Sequence, residues 1–218
     1  MKTQLNNRKG IIIVTTLVTL LPALIGVILW DKLPAQMPVH WNAAGEIDNY
    51  MSKGMAIFLF PLIMLAAHLI CVFVTAADPE NEDQSKKVMQ LIPWIIPVVS
   101  MVLAAMMYPA ALGHSVNVLQ IACLLVGLMF LVIGNYLPKT RPNYSIGFRI
   151  PWTLHDEENW KKTHRLAGPL AIVGGFLMIL EGFFQWHLAP VFLIILAAVT
   201  LVPTIYSYLL YRKKNANG

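Results

Sequence analysis

The fold is decided by residues 167–210, AGPLAIVGGFLMILEGFFQWHLAPVFLIILAAVTLVPTIYSYLL, which contain a single charged residue, Glu181. A helix of about 20 apolar residues is long enough to cross the hydrocarbon core of a membrane. This run is about twice that length. We therefore interpret it as two membrane-spanning helices that turn near His187, where polar residues and a proline interrupt the apolar sequence.

Further apolar runs of the same kind lie upstream, so that the whole chain contains six candidate spans. They cover roughly residues 11–30, 54–77, 91–113, 116–134, 167–187 and 189–210. The runs are continuous rather than alternating, which indicates helices and excludes a β-barrel. Charged residues make up only 12% of the chain and hydrophobic residues 57%, a composition that excludes a disordered protein. The sequence predicts an all-α integral membrane protein, a six-helix bundle that forms one membrane domain over residues 1–218.

The positive charges predict the orientation of this bundle. Fourteen of the 16 lysines and arginines lie in the two chain ends and in the loops at 78–90 and 135–166. Cytoplasmic segments of membrane proteins carry such an excess of positive charge. We therefore expect both termini to be cytoplasmic. The same count explains the net charge of +5 without any contact to nucleic acid.

The extracytoplasmic loop at residues 31–53 is longer than a helix connection needs. Residues 37–41 alternate between apolar and polar side chains and predict a short strand. Turns are expected at 42–45 and again at 48–50. Its aromatic residues, with His40 and Trp41 among them, suit either an interfacial anchor or a recognition lid for a peptide or a lipid. His40 with Asp48 or Glu46 could bind a metal only weakly.

The cytoplasmic loop at residues 135–166 carries the densest set of charged and aromatic side chains. We expect residues 146–152 to pack against the bundle and residues 154–166 to form an interfacial helix that leads into the fifth span through Gly168 and Pro169. Thr153 is the candidate N-cap of that helix. Its acidic residues precede its basic residues by four positions, an order that favours ion pairs and complements the helix dipole.

Arg149 stands among apolar residues of this loop. If it were buried, it would need a carboxylate or carbonyl partner. Asp156 and Glu157 are the candidate carboxylates.

Two polar side chains fall inside the spans. Glu181 could reach the outer interface or form a hydrogen bond inside the bundle. The most specific hypothesis is that it forms a proton- or cation-responsive site. His68 suits an interhelical hydrogen bond, and a His68–Glu181 pair is a further possibility to test. The sequence contains no HExxH, GxSxG, CxxC or phosphate-loop motif. We therefore expect that the protein is not an enzyme and that it binds no metal or cofactor.

The 135–166 loop resembles the defining segment of the SdpI family of bacterial immunity proteins. The matching residues are Ile146, Gly147, Arg149, Pro151, Trp152, Thr153, Leu154, Asp156, Glu157, Trp160 and Arg165. The upstream loop resembles an extracytoplasmic domain of unknown function that often accompanies that segment, through Leu33, Pro34, Pro38, His40, Trp41, Gly45 and Lys53. The resemblance implies a bacterial plasma-membrane protein that protects its cell from a secreted, membrane-active peptide toxin of the SdpC type. It also implies a signalling role in which the occupied protein binds an ArsR-type repressor.

Three hypotheses about function follow. The first is the immunity protein and receptor, with membrane lipid, an outer toxin and a cytoplasmic repressor as partners. The alternatives are a small transporter or exporter of peptide or lipid, and an intramembrane enzyme that acts on the toxin. The candidate functional residues are Arg149, Pro151, Trp152, Thr153, Asp156, Glu157, Trp160, Arg165, His40, Trp41, Glu181 and His68.

Overall fold

The computed structural model describes residues 8–42 and 44–216. Its helices are α1 (Lys9–Ile28), α2 (Phe60–Ala77), α3 (Lys86–Leu91), α4 (Ile95–Ala111), α5 (Val118–Tyr136), α6 (Pro151–Leu154), α7 (Glu157–Phe184) and α8 (Leu188–Ala216). Two strands, β1 (Gln36–Trp41) and β2 (Ile47–Ser52), form an antiparallel hairpin between α1 and α2. A π-helical turn, Met55–Leu59, precedes α2.

Six helical segments of the described chain are long and apolar enough to cross a membrane. They are Lys9–Ile28, Met55–Ala77, Lys86–Ala111, Val118–Lys139, Glu157–Phe184 and Leu188–Ala216. The predicted all-α, six-span architecture is therefore confirmed, and so is the separation of the 167–210 run into two helices.

The chain forms two compact units, and the first contains residues 1–77 and 89–118. Its core is formed by α4, the π-helical turn before α2 and the hairpin, which contributes the fully buried Met37, and the end of α1 packs against it through Ile25. A line of polar contacts follows one face of α1. The Ser100 hydroxyl donates to the Thr19 carbonyl (3.2 Å), and the Tyr108 hydroxyl donates to the Pro22 carbonyl (2.6 Å). These bonds satisfy polar groups that lipid could not.

The hairpin confirms the strand predicted at residues 37–41 and the turn at 42–45. The second turn, predicted at 48–50, is wrong, because these residues lie in the middle of β2. Pairing with β1 holds the backbone of these residues in an extended conformation. Asn42 makes the real turn, since its side-chain oxygen accepts the amides of Ala44 (2.9 Å) and Glu46 (3.0 Å).

The second unit contains residues 78–88 and 119–218, and a glycine seam joins α5 to α7 within it. A Cβ on Gly127 would lie 2.8 Å from the Gly175 carbonyl oxygen, and a Cβ on Gly134 would lie 2.7 Å from the Gly168 carbonyl oxygen. Gly127 and Gly134 are seven residues apart in α5, and Gly168 and Gly175 are seven residues apart in α7. The glycines of each helix therefore recur on one face after two turns. Only glycine permits backbones to approach this closely.

The interfacial helix expected at residues 154–166 is not a separate element. Helix α7 runs without a break from Glu157 through Pro169 to Phe184. The predicted N-cap, Thr153, is also wrong, because it lies inside α6. Asp156 is the N-cap of α7, and its Oδ1 accepts the amides of Glu158 (3.0 Å) and Asn159 (3.1 Å).

Candidate functional site

Residues 140–150, called the motif loop below, are folded around one buried asparagine. The Asn143 side chain is 1% exposed. Its Oδ1 accepts the amides of Ser145 (2.9 Å) and Ile146 (2.6 Å), and its Nδ2 donates to the carbonyl of Arg141 (2.8 Å). A single side chain therefore replaces the backbone pairing that this irregular segment lacks.

The connection between the second and third spans fastens the motif loop from another side. Gln84 pairs with the backbone of Arg141 in both directions, because its Nε2 donates to the carbonyl (2.9 Å) and its Oε1 accepts the amide (3.0 Å). The Asp78 Oδ2 accepts the Tyr144 amide (2.9 Å) and the Ser145 hydroxyl (2.7 Å). Both side chains are 7% exposed. The loop is thus held by buried, hydrogen-bonded groups and not by loose surface contacts.

Thr153 closes the other end of the loop. Its hydroxyl donates to the Phe148 carbonyl (2.6 Å) and accepts the amide of Ile150 (3.1 Å). Pro151 begins α6, a position where the missing N–H costs nothing. Thr153 is fully buried, so this candidate residue fixes the backbone on both sides of Arg149 and contacts no solvent.

Trp160 and His164, one turn apart on α7, form the floor under the loop. Trp160 is fully buried, and its Nε1 donates to the Thr140 carbonyl (3.1 Å). The two rings stack with centroids 4.0 Å apart. The His164 Nδ1 lies 2.8 Å from the Trp160 carbonyl oxygen, and its Nε2 accepts the Phe148 amide at 3.0 Å. Gly147, at φ +97°, passes directly over the imidazole.

Arg149 is exposed and not buried, and of the two kinds of partner expected for it, the described residues provide a carbonyl and not the carboxylate of Asp156 or Glu157. Its side chain is exposed, and Nη1 donates to the Tyr144 carbonyl (2.7 Å). The neighbouring Phe148 and Ile150 are half-buried, whereas Arg149 is exposed. A carbonyl of the same loop orients the guanidinium and leaves its remaining donors at the surface.

Asp156 pairs with a helix end that is distant in sequence. Its Oδ2 lies 2.9 Å from the Lys214 Nζ at the C-terminal end of α8. The hydrogen bond from Lys214 holds the pKa of this carboxyl below its usual value of 3.8, and the capped amides act in the same direction. Asp156 therefore joins the first turn of α7 to the last turn of α8.

The predicted ion pairs along α7 are present. Glu157 lies 3.5 Å from Lys161, and Glu158 lies 2.7 Å from Lys162, all with exposed side chains. Exposed pairs of this kind stabilise a helix only weakly. Glu157, Glu158 and Lys161 line an open depression of about 430 Å³ on the surface, together with His155, Asp156 and Lys214.

The α6 and α7 segment is clamped to α8 by aromatic and amide contacts. The Trp152 ring lies 5.4 Å from the Tyr208 ring and 5.8 Å from the Tyr211 ring, between centroids. The buried Asn159 donates to the Ser207 carbonyl (3.0 Å) and accepts its hydroxyl (2.7 Å). Arg165 is exposed and belongs to neither contact.

The candidates His40 and Trp41, which the sequence predicts to face the outside, lie in the hairpin. The His40 Nδ1 is 2.6 Å from the Asp48 Oδ1, and Trp41 packs partly buried against the core of the first unit. Within residues 8–42 and 44–216, no group of three His, Cys, Asp or Glu side chains has the arrangement of a metal site.

The two candidates inside the predicted spans, His68 and Glu181, each lie within hydrogen-bond distance of another residue. The Nε2 of His68 lies 3.3 Å from the Thr15 hydroxyl, the interhelical bond expected for a buried histidine. Glu181 is 4% exposed, and its Oε1 accepts the amide of His187 at 2.5 Å. The carboxylate therefore closes the turn between α7 and α8 from inside the protein.

Several residues that organise the site were missed by sequence reasoning: Asp78, Gln84, Asn143, Asn159 and His164. Most are polar side chains whose partners lie far away in the sequence, so no local pattern marks them. Two signals were available. Asn143 follows a proline in a turn-rich segment, and Trp160 and His164 have the i,i+4 spacing of stacked side chains on a helix.

Comparison with known proteins agrees with this arrangement. Residues 139–207 match the SdpI/YfhL protein family, and residues 17–65 match a domain of unknown function, DUF1648. The chain is 29% identical over 206 residues to a protein named Immunity protein SdpI from Bacillus subtilis (strain 168), covering 94% of this chain and 98% of that protein. No solved structure matches.

The first match contains the motif loop, α6, α7 and most of α8, and the second contains the hairpin. The resemblance to the SdpI family is thereby confirmed, and the chain is a multi-pass protein of the cell membrane.

Proposed function

We propose that this protein is an immunity protein that protects its cell from a secreted, membrane-active peptide toxin of the SdpC type. The observation that carries the proposal is the 29% identity to Immunity protein SdpI, which extends over 94% of the chain. A match of this length includes both the outer hairpin and the motif loop. The proposal therefore covers the two surfaces on which such a protein would meet its partners.

The hairpin supports recognition on the outer side of the membrane. Met37 anchors β1 in the protein core, while β2 exposes most of its side chains, with Tyr50 54% exposed. An anchored strand that carries an exposed one can present aromatic and charged groups at a defined height above the lipid. Tyr50 and the His40–Asp48 pair are the groups that we assign to toxin contact.

The exposed side chains of Arg149, Pro151, Glu157 and Arg165, called the partner surface below, support a second role. They project from a segment whose backbone is fixed by buried polar groups. Rigid presentation lowers the entropy cost of binding. We assign the partner surface to a cytoplasmic ArsR-type repressor, which would be held at the membrane when the toxin is present.

A survival assay tests immunity. A toxin-sensitive bacterial host that expresses the chain should grow in the presence of the secreted toxin, whereas a host with an empty vector should not. Tyr50→Ala should reduce survival while membrane levels of the protein stay unchanged. Death of the expressing host, with the protein present in its membrane, would contradict the proposal. Toxin efflux by purified protein in proteoliposomes, reduced by Glu181→Gln, would favour a transporter instead.

Membrane co-fractionation tests the signalling role. Repressor should move to the membrane fraction in toxin-treated cells. Arg149→Ala should abolish this movement by removing a group of the partner surface, and Trp152→Ala should abolish it by removing the ring contacts that hold α6 against α8. Arg212→Ala is the matched control, because this arginine is also exposed but lies outside the partner surface. Equal recruitment by all variants would contradict the assignment of the partner surface to a repressor. The immunity role would then be decided by the survival assay alone.

A further inference from the structure

His164 uses both nitrogens of a neutral imidazole. The Trp160 carbonyl can only accept a hydrogen bond, so the Nδ1 at 2.8 Å must carry a proton. The Phe148 amide can only donate, so the Nε2 at 3.0 Å must present a lone pair. The two bonds together specify the neutral Nδ1–H tautomer. A doubly protonated ring could keep the first bond but not the second.

We propose that His164 is a positioning residue that holds the motif loop, and with it Arg149, only in this neutral form. Arg149 lies between two anchored backbone groups. The amide of Phe148 is bound by His164, and the amide of Ile150 is bound by Thr153. Loss of the first anchor frees the backbone immediately before Arg149, while the second anchor has no titrating group and persists. Acidification therefore loosens one side of the loop without unfolding α6.

The surroundings of the ring leave no other group to hold it. Within the described parts of the chain, α7 places the Trp160 ring and carbonyl against the imidazole, and the motif loop places Gly147 and the Phe148 ring and amide there. None of these groups is charged or titrates near neutral pH. The response to acid is thus that of one imidazole and one backbone amide.

Residue-resolved deuterium exchange on the full chain in lipid nanodiscs tests this role without toxin or repressor. Corrected for intrinsic rates, exchange of the Phe148 amide should rise by at least tenfold from neutral pH to a pH well below the range in which exposed histidines titrate, because burial and the bond from Phe148 both favour the neutral ring. Exchange of the Ile150 amide should stay constant over the same range. An unchanged Phe148 amide, or equal changes at both amides, overturns the proposal.

Two substitutions sharpen the test. His164→Gln keeps an acceptor for Phe148 that does not titrate, so its exchange should be slow at every pH. His164→Leu removes the acceptor, so exchange should be fast at every pH. If either variant fails to fold, the wild-type titration with Ile150 as reference still decides.

The effect on a partner rests on the proposed function. Repressor co-fractionation should be lost in His164→Leu and restored in His164→Gln. If the repressor role itself is wrong, neither variant alters fractionation while the exchange data remain as expected. The two failures are therefore distinguishable.

Discussion

Gly147 sets the backbone path over His164. Its φ of +97° is strained for any residue with a Cβ, and a Cβ there would overlap the His164 ring. Positive φ alone costs a non-glycine residue on the order of 1–3 kcal/mol. The overlap adds to this cost because the buried His164 ring is stacked on the buried Trp160 ring and has no room to move away.

We predict that Gly147→Ala lowers the thermal stability of the detergent-solubilised protein and speeds exchange in the motif loop. Gly113→Ala is the matched control, because Gly113 has a similar φ of +85° but nothing within 4 Å of its Cβ position. The loss should be larger for Gly147. Equal losses would mean that the overlap with His164 contributes nothing.

The Asp156–Lys214 pair makes a pH-dependent contribution. The folded-state pKa of Asp156 lies below its usual value of 3.8. The pair therefore stabilises the fold above that value, and the contribution is lost as the pH falls through the folded pKa. We predict that Lys214→Gln lowers the melting temperature at neutral pH and that the difference from wild type disappears in strong acid. Lys213→Gln, at an exposed neighbouring position, should match wild type at both pH values.

Among the elements, α5 and α7 depend on their glycine seam. A Cβ on Gly175 would lie 2.6 Å from the Gly127 carbonyl oxygen, which is backbone and cannot rotate away. The helices would have to separate along their length. Overpacking of this kind typically costs about 1–3 kcal/mol.

We therefore predict that Gly175→Ala destabilises the protein by about this amount, measured as unfolding by a denaturing detergent. Gly10→Ala is the control, because its Cβ would meet nothing within 4 Å in helix α1. Wild-type stability of Gly175→Ala would show that the two helices can separate at no cost.

At the scale of the whole molecule, the distribution of lysine and arginine predicts which side of the membrane each loop faces. A cysteine at Glu46 should react with a membrane-impermeant maleimide added to intact cells, and a cysteine at Glu157 should react only after lysis. Both are placed in a chain with Cys71 and Cys123 changed to alanine. The reverse pattern would invert the topology and exchange the two proposed surfaces.

Much of the site could be predicted from its local sequence. The apolar runs, the basic loops, the strand of the hairpin and the i,i+4 ion pairs of α7 all follow from composition and spacing over a few residues. The partners of Arg149 and Asp156 could not be predicted in this way. Arg149 is bound by the Tyr144 carbonyl through the path of the motif loop, and Asp156 pairs with Lys214, which is 58 residues away.

The sequence by itself determined that the chain crosses the membrane six times, because hydrocarbon tolerates so few charges and requires helices of a definite length. It also determined the family resemblance. Only the tertiary structure decided which polar side chains hold the motif loop. Asp78, Gln84 and His164 satisfy backbone groups that lie elsewhere in the chain, and such pairs are formed by packing that no local pattern encodes.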